Sequence, residues 1–153
     1  MPPVPDLRFD PSVVRRPRLL RAHAWWRAKA ADKALPDRAA FDPVEIADLM
    51  PDVVMWDVLP AGDFRCRLAG TRMVAIHGRE LTGLDMAEFH GADNAAIQPD
   101  YEAVARTGEP HYVERTLYWM KRDHRRYGRI LLPFTNGGDA VAIIVNVADF
   151  DGA

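Results

Sequence analysis

The five histidines of this 153-residue chain have the widest range of possible chemical roles, because imidazole can bind a metal, transfer a proton or hydrogen-bond a ligand near neutral pH. None forms an H-x-H pair, an H-E-x-x-H motif or a cysteine–histidine pair at metal-ligand spacing. His77 closes a predicted short helix, and two interpretations of it stay open. It contacts a bound metal, haem or small molecule, or its charge stabilises the helix C-terminus. The five are His23, His77, His90, His111 and His124.

The other reactive side chains do not complete a catalytic set. Ser12 is the only serine and has no histidine near it in sequence, which argues against a Ser-His-Asp hydrolase. Cys66 is the only cysteine and lies on a predicted strand, where a buried structural thiol is expected. The acidic residues form no paired acid–base signature, and no glycine-rich phosphate loop precedes a helix. The sequence therefore predicts a protein without catalysis.

Arginines supply a second kind of chemistry. Arg65 and Arg67 share one face of a predicted strand that we expect to be covered, and a covered arginine needs a partner. Either Glu45 or Asp48 pairs with it, or it holds an anionic ligand bidentately. The basic run 121–126 is predicted to be a solvated hairpin tip, and contact with nucleic acid or an acidic protein is the alternative.

Composition limits the class of protein. With 48% hydrophobic and 27% charged residues and a net charge of −2, the chain is typical of a globular domain and unlike a nucleic-acid-binding protein. The chain has no window of about 18 consecutive apolar residues, so no membrane span is predicted. The first residues lack the apolar core of a signal peptide. A lone cysteine fits the cytoplasm. We expect residues 1–16 to be a flexible lead-in or an arm on the domain, followed by one domain over 17–153.

The elements that position these side chains begin with a helix from Pro17 to about Ala34, with Leu19, Ala22, Trp26 and Ala30 on one stripe. Trp25 lies about 100° from Trp26 around this helix, so it packs on its own domain or on a partner subunit. A short helix starts at Asp42-Pro43. The strand predictions are 53–59, 64–69, 110–119, 127–134 and 139–147, and the later helix predictions are 72–77 and one within 93–107 that starts or kinks at Pro99.

Several short motifs occur in the order that the PAS fold requires, and the chain from about Leu19 to Val147 resembles the small single-domain bacterial PAS-like proteins. Each motif alone is weak, whereas their order and spacing together are specific. They are Trp26-Arg27, then Arg67-Leu68-Ala69-Gly70-Thr71, Gly78-Arg79-Glu80-Leu81-Thr82-Gly83, Tyr101 with Val104 ahead of Thr107-Gly108-Glu109-Pro110, and Leu131-Leu132-Pro133.

The resemblance implies an α+β fold with five antiparallel strands in the spatial order 2-1-5-4-3, helices on one face and an extra N-terminal helix. It also implies a ligand pocket between sheet and helices, and dimerisation through terminal helices or the sheet surface. The surplus tryptophan of Trp25-Trp26 predicts a homodimer that uses the N-terminal helix. No haem or flavin signature is present: the long helix lacks a histidine, and Cys66 is not in an Asn-Cys-Arg-Phe motif. The cofactor is therefore unknown. The candidate pocket residues are Trp56, Arg67, Met73, His77, Tyr101 and Trp119.

The function expected from these features is that of a cytoplasmic sensory module. It binds a small molecule or a partner protein and signals in trans, without nucleic acid or membrane binding. Two alternatives stay open. One is a scaffold whose pocket is filled by core side chains, and the other is a small enzyme in which His77 works with an acidic partner. The two differ in what they predict for the cavity: filled in the first case, and polar with a carboxylate beside His77 in the second.

Overall fold

The structure, a computed structural model, describes residues 9–116 and 126–152. Within these residues, no helix combines the length and the hydropathy needed to cross a membrane. Short 3-10 turns lie between the longer elements, for example at Pro43–Ile46 and Met50–Asp52. The helices and strands are α1 (Pro17–Ala30), β1 (Val53–Val58), β2 (Phe64–Ala69), α2 (Thr71–His77), α3 (Met86–His90), α4 (Asn94–Thr107), β3 (His111–Thr116), β4 (Arg126–Phe134) and β5 (Ile143–Phe150).

The five strands form one antiparallel sheet in the order β2-β1-β5-β4-β3, which confirms the predicted topology. Side chains alternate between its two faces, and each face carries its own hydrophobic cluster. On the first face, Trp56, Leu131 and Ile144 pack against α2, α3 and α4. This face and the three helices enclose the candidate site.

Helix α1 covers the opposite face of the sheet. Leu19, Ala22 and Trp26 are buried against β4 and β5, as the helical stripe predicts, and the Trp26 indole Nε1 donates to the carbonyl of Pro133 at 2.7 Å. Trp25 is half-buried and packs edge-on against Phe41, with ring centroids 5.4 Å apart. Both indoles therefore lie in contacts within one chain, which is the first of the two interpretations of the tryptophan pair.

An ion pair between side chains holds the start of α1 against the sheet. Arg16 donates from Nε and Nη2 to the two carboxylate oxygens of Glu114, each at 2.9 Å, and this ion pair lowers the pKa of Glu114 to about 2. A Cβ on Gly128 would lie 2.4 Å from both Arg16 Nε and Glu114 Oε2, so any larger residue would require the two side chains to shift. Val14 is buried as well. Residues 9–16 thus lie on the domain.

Several element bounds differ from the sequence predictions. Helix α1 ends at Ala30 rather than near Ala34, because the chain reverses at Ala31, which takes a positive φ of 54°. The segment after Asp42 is a 3-10 turn. Helix α4 begins at Asn94, so Pro99 lies inside it rather than at its start. Strand β5 begins at Ile143 instead of Asp139 and continues to Phe150.

Helix α3 is an element that the sequence predictions omitted, although its start signal is present. The Asp85 side chain accepts from the backbone N–H of Glu88 at 2.8 Å, while the Glu88 side chain reaches back to the N–H of Asp85. This capping box satisfies free N–H groups at both positions. Helix α3 matters because it places Phe89 and His90 over the sheet.

Candidate functional site

A cavity of about 280 Å³ lies between the first face of the sheet and helices α2, α3 and α4. Its walls are largely apolar, with Phe150 from β5, Ile97 from α4 and Met73 from α2 among them. A cavity of this kind, apolar with a few polar groups, is typical of small-molecule sites. The side chains around it include a cluster of rings, the amide of Asn146 and a cluster of charged groups.

The ring cluster gathers side chains from α2, α3, α4 and β1. Phe89 lies at its centre, with ring centroids 4.7 Å from His77, 4.8 Å from His90 and 4.8 Å from Trp56. Tyr101 packs edge-on against Trp56 at 5.7 Å. Such tilted and edge-on contacts between rings hold the side chains in fixed orientations. The cluster therefore gives the cavity a rigid aromatic wall.

Both histidines of this wall are neutral at physiological pH. Burial, and after it the nearby charge of Arg79, lowers the pKa of His77 to about 4. Burial also lowers the pKa of His90 to about 4, although its hydrogen bond to Asn94 acts in the opposite direction. A neutral imidazole offers a ligand one donor and one acceptor but no charge.

Asn146 brings an unsatisfied polar atom to the cavity from the middle of β5. Its Nδ2 donates to the hydroxyl of Tyr101 at 3.1 Å, while its Oδ1 is buried and meets no hydrogen-bond partner in the described part of the chain. Burial raises the pKa of Tyr101 to about 12, so the phenol stays protonated. A buried acceptor without a partner is costly, and a bound donor would satisfy it.

The charged cluster lies on β4, β3 and α4. Arg129 is 2% exposed, and it donates to Asp100 Oδ2 at 2.6 Å. Arg115 donates to the same oxygen, also at 2.6 Å. The second terminal nitrogen of Arg129 contacts His111 Nδ1 at 3.2 Å, and its guanidinium lies 5.7 Å from the centre of the Tyr101 ring. Arg129 lines the cavity and is its one deeply buried charged group among the described residues.

Of the six predicted pocket residues, Met73, His77 and Tyr101 line the cavity. Trp56 is fully buried and packs behind Phe89 and Tyr101 without lining it. Trp119 and the basic run 121–125 lie outside the described residues.

Arg67 was predicted wrongly. On β2 the core side is taken by Phe64 and Cys66, so Arg67 points to the other face and is exposed. It donates to Asp57 of the neighbouring strand at 2.8 Å, whereas the predicted carboxylates pair elsewhere, Glu45 with Lys29 and Asp48 with Arg21. The face of this edge strand that carries Arg67 is not covered, so the argument that a covered arginine needs a ligand does not apply to it.

The sequence predictions missed Arg129, Asn146 and the two rings of α3. A signal existed for the first two, since each is a polar residue beside apolar neighbours in a strand: Arg129 precedes Ile130, and Asn146 lies between Val145 and Val147. Cys66 is buried as expected, and burial raises the pKa of its thiol to about 11, which keeps it unreactive. In the described ranges, no three His, Cys, Asp or Glu side chains are grouped so as to hold a metal ion.

An antiparallel sheet in the order 2-1-5-4-3, with three helices enclosing a cavity on one face, defines the α+β class of sensory domains with the PAS fold. The family model described as the PAS domain matches residues 14–145, and the chain belongs to this family. No curated protein matches the sequence.

Solved structures show the same fold at low sequence identity. A domain of an HTR-like protein from Haloarcula marismortui is 11% identical, covers 65% of this chain and 95% of its own, and has a TM-score of 0.50. The LOV protein of Rhodobacter sphaeroides is 17% identical, with coverages of 73% and 69% and a TM-score of 0.50. The PAS domain of BvgS from Bordetella pertussis is 16% identical, with coverages of 71% and 85% and a TM-score of 0.50.

Proposed function

We propose that this protein is a non-catalytic sensory module that binds a small molecule in the cavity beside Tyr101 and Asn146 and signals in trans. The observation that carries the proposal is the partly open cavity of about 280 Å³ with the buried, unpartnered Oδ1 of Asn146 beside it. A location in the cytoplasm belongs to the proposal and stands on the sequence argument alone.

The size of the cavity favours a ligand over a scaffold with a filled pocket. One water molecule takes roughly 30 Å³ of liquid, so about nine waters would be needed to fill the space. Its apolar side chains, such as Met73, Ile97 and Phe150, would solvate so many waters poorly. A small organic molecule would bury these side chains and could satisfy Asn146 as well.

The environment of His77 disfavours the enzyme alternative. That hypothesis requires a carboxylate beside the imidazole, which would raise the pKa of the histidine. The pKa of His77 is instead lowered to about 4, by burial and then by Arg79. A base so weak is poorly matched to proton transfer near neutral pH.

A buried carboxylate supports a route for the signal from the cavity to the opposite face. Asp52 is 1% exposed and lies between two arginines, Arg72 of α2 and Arg18 of α1. Its Oδ1 is 3.3 Å from Arg72 Nε, and its Oδ2 is 3.2 Å from Arg18 Nη2. Since α2 also carries Met73 and His77, a ligand that moves this helix would alter the ion pairs that hold α1.

Native mass spectrometry of freshly purified protein, compared with its denatured mass, tests the proposal. We expect a reproducible mass excess of one small molecule. Ala148→Leu should abolish it, because this side chain lines the cavity and three added carbon atoms would enter the space. Ala75→Leu is the matched control, since Ala75 is exposed on α2.

Two results would contradict the proposal. A native mass equal to that of the bare chain in repeated preparations would favour the scaffold alternative. A mass excess that persists in a folded Ala148→Leu variant would show that the molecule binds somewhere other than the cavity.

A further inference from the structure

Arg129 shares its close counter-charge, the Asp100 carboxylate, with a second arginine. Two guanidiniums, those of Arg129 and Arg115, share one carboxylate oxygen of Asp100 at 2.6 Å each. His111 also contacts Arg129, but burial and Arg129 lower the pKa of this histidine, so it adds no charge near neutral pH. The cluster therefore carries a surplus of one positive charge. Arg129 is the buried cation of the cluster, and it does not have the Asp100 carboxylate to itself, because the half-buried Arg115 binds the same oxygen.

Arg129 also has N–H donors that the described contacts do not use. An arginine carries five N–H donors in a planar fork. The described contacts use one for Asp100 Oδ2 and one for His111 Nδ1, which leaves three. The side chain lines the cavity, so the remaining donors are within reach of a ligand there. The fork matches the geometry of a carboxylate better than that of a single acceptor.

The rest of the cavity does not cancel the surplus. Tyr101, His77 and His90 are neutral at physiological pH, as shown above. The three other charged lining residues, whose formal charges sum to −1, lie nearer to solvent than Arg129, which is 2% exposed, so water screens them more strongly. They are Arg79, Glu88 and Asp93.

From this surplus cation at an otherwise apolar cavity, we propose that the ligand is a small monocarboxylic acid with an aromatic or short aliphatic body. Its carboxylate lies on the fork of Arg129, its body packs between the ring cluster and the sheet, and a hydroxyl or N–H group on that body would donate to Asn146 Oδ1. If each non-hydrogen atom takes no more than the roughly 30 Å³ of one liquid water molecule, a space of about 280 Å³ holds on the order of ten atoms. The inference rests on the proposed function, since it names the class of ligand for the same cavity.

Paired probes of one shape and different charge test the inference. Isothermal titration calorimetry on the unmodified protein compares benzoate with benzamide, phenylacetate with phenylacetamide, and hexanoate with hexanamide. We expect at least one acid to bind about tenfold or more tightly than its amide, because a charge-assisted pair with a buried arginine is worth more than a neutral hydrogen bond. Equal binding of acid and amide, tighter binding of the amides, or no binding of any probe overturns the inference.

A pair of variants assigns the effect to Arg129. Arg129→Met should remove the preference for the acid, while Arg67→Met should keep it, because Arg67 is an ion-paired arginine outside the cavity. An unchanged acid preference in a folded Arg129→Met protein also overturns the inference. Should this variant not fold, the comparison of acid and amide on the unmodified protein still decides.

Failure of the inference differs from failure of the proposed function. Amides that bind as well as acids, or a neutral molecule found by native mass spectrometry, leave the sensory cavity standing and remove only the carboxylate. A bare native mass together with the absence of binding by all six probes removes both.

Discussion

Replacement of Gly70 by alanine should destabilise the protein by the overpacking of one methyl group. Gly70 precedes α2, and its backbone N–H donates to the carbonyl of Val53 at 2.7 Å. A Cβ at this position would lie 2.2 Å from the carbonyl oxygen of Met50 and 2.4 Å from that of Pro51. Real Cβ atoms do not approach closer than 3.0 Å, so the backbone must separate by nearly 1 Å.

Overpacking of this kind costs about 1–3 kcal/mol, and the clash with backbone atoms, which cannot rotate away, places Gly70→Ala in the upper half of that range. Urea unfolding followed by circular dichroism should show a loss of about 2–3 kcal/mol in the free energy of unfolding. Gly138→Ala is the matched control, because its Cβ would meet nothing within 4 Å and its φ is not positive. It should change stability by less than about 0.5 kcal/mol.

The reasoning would be refuted if Gly70→Ala were as stable as Gly138→Ala, since the clash would then be relieved without cost. A second readout follows from the position of the clash. The displaced element is α2, which carries Met73 and His77 of the cavity wall. Any molecule retained in native mass spectrometry should therefore be bound more weakly by a folded Gly70→Ala protein than by Gly138→Ala.

Two further predictions concern acid and association. The free energy of unfolding should fall as the pH drops from about 6.5 towards 4, because the unfolded chain protonates His77 and His90 in this window while the native state, with both pKa values at about 4, does not. His90→Asn should reduce the loss of unfolding free energy between pH 7.5 and 5 by on the order of 1 kcal/mol, a value discounted for the partial exposure of the ring. An unchanged pH profile of the melting temperature would contradict this. A homodimer through α1 remains our proposal, although both indoles of Trp25-Trp26 pack within their own chain. Light scattering should give twice the mass of 17.2 kDa, whereas a single-chain mass at high concentration would remove the proposal.

The order of the elements was predictable because its signals are local. Strand β2 was predicted with the bounds 64–69 that the structure has, from the alternation of Phe64, Cys66 and Leu68 with their neighbours. Gly78 was expected in the left-handed region at the end of α2, and its φ is 69°. The capping box of α3 was equally local, and its omission was a failure to use a signal that was present.

The orientation of single side chains was less predictable. Arg67 and Cys66 are neighbours on one strand, so the decision that Cys66 faces the core also turns Arg67 outward. The sequence pattern alone does not say which face of an edge strand is covered. The wrong choice of face placed Arg67 in the predicted site. For Trp26 the helical stripe sufficed, because the buried face of α1 is marked by three further apolar residues at the same spacing.

The amino-acid sequence by itself determined the α+β class, since alternation, helix caps and turns each act over a few residues, and the order of the strands in the sheet was implied by the resemblance to the PAS family. Only the tertiary structure decided the candidate site. Asp100 and Arg129 are 29 residues apart, and Tyr101 and Asn146 are 45 apart. Such pairs meet because α4 packs on the sheet at one register. The surplus charge and the unpaired amide oxygen exist only once that packing has excluded water.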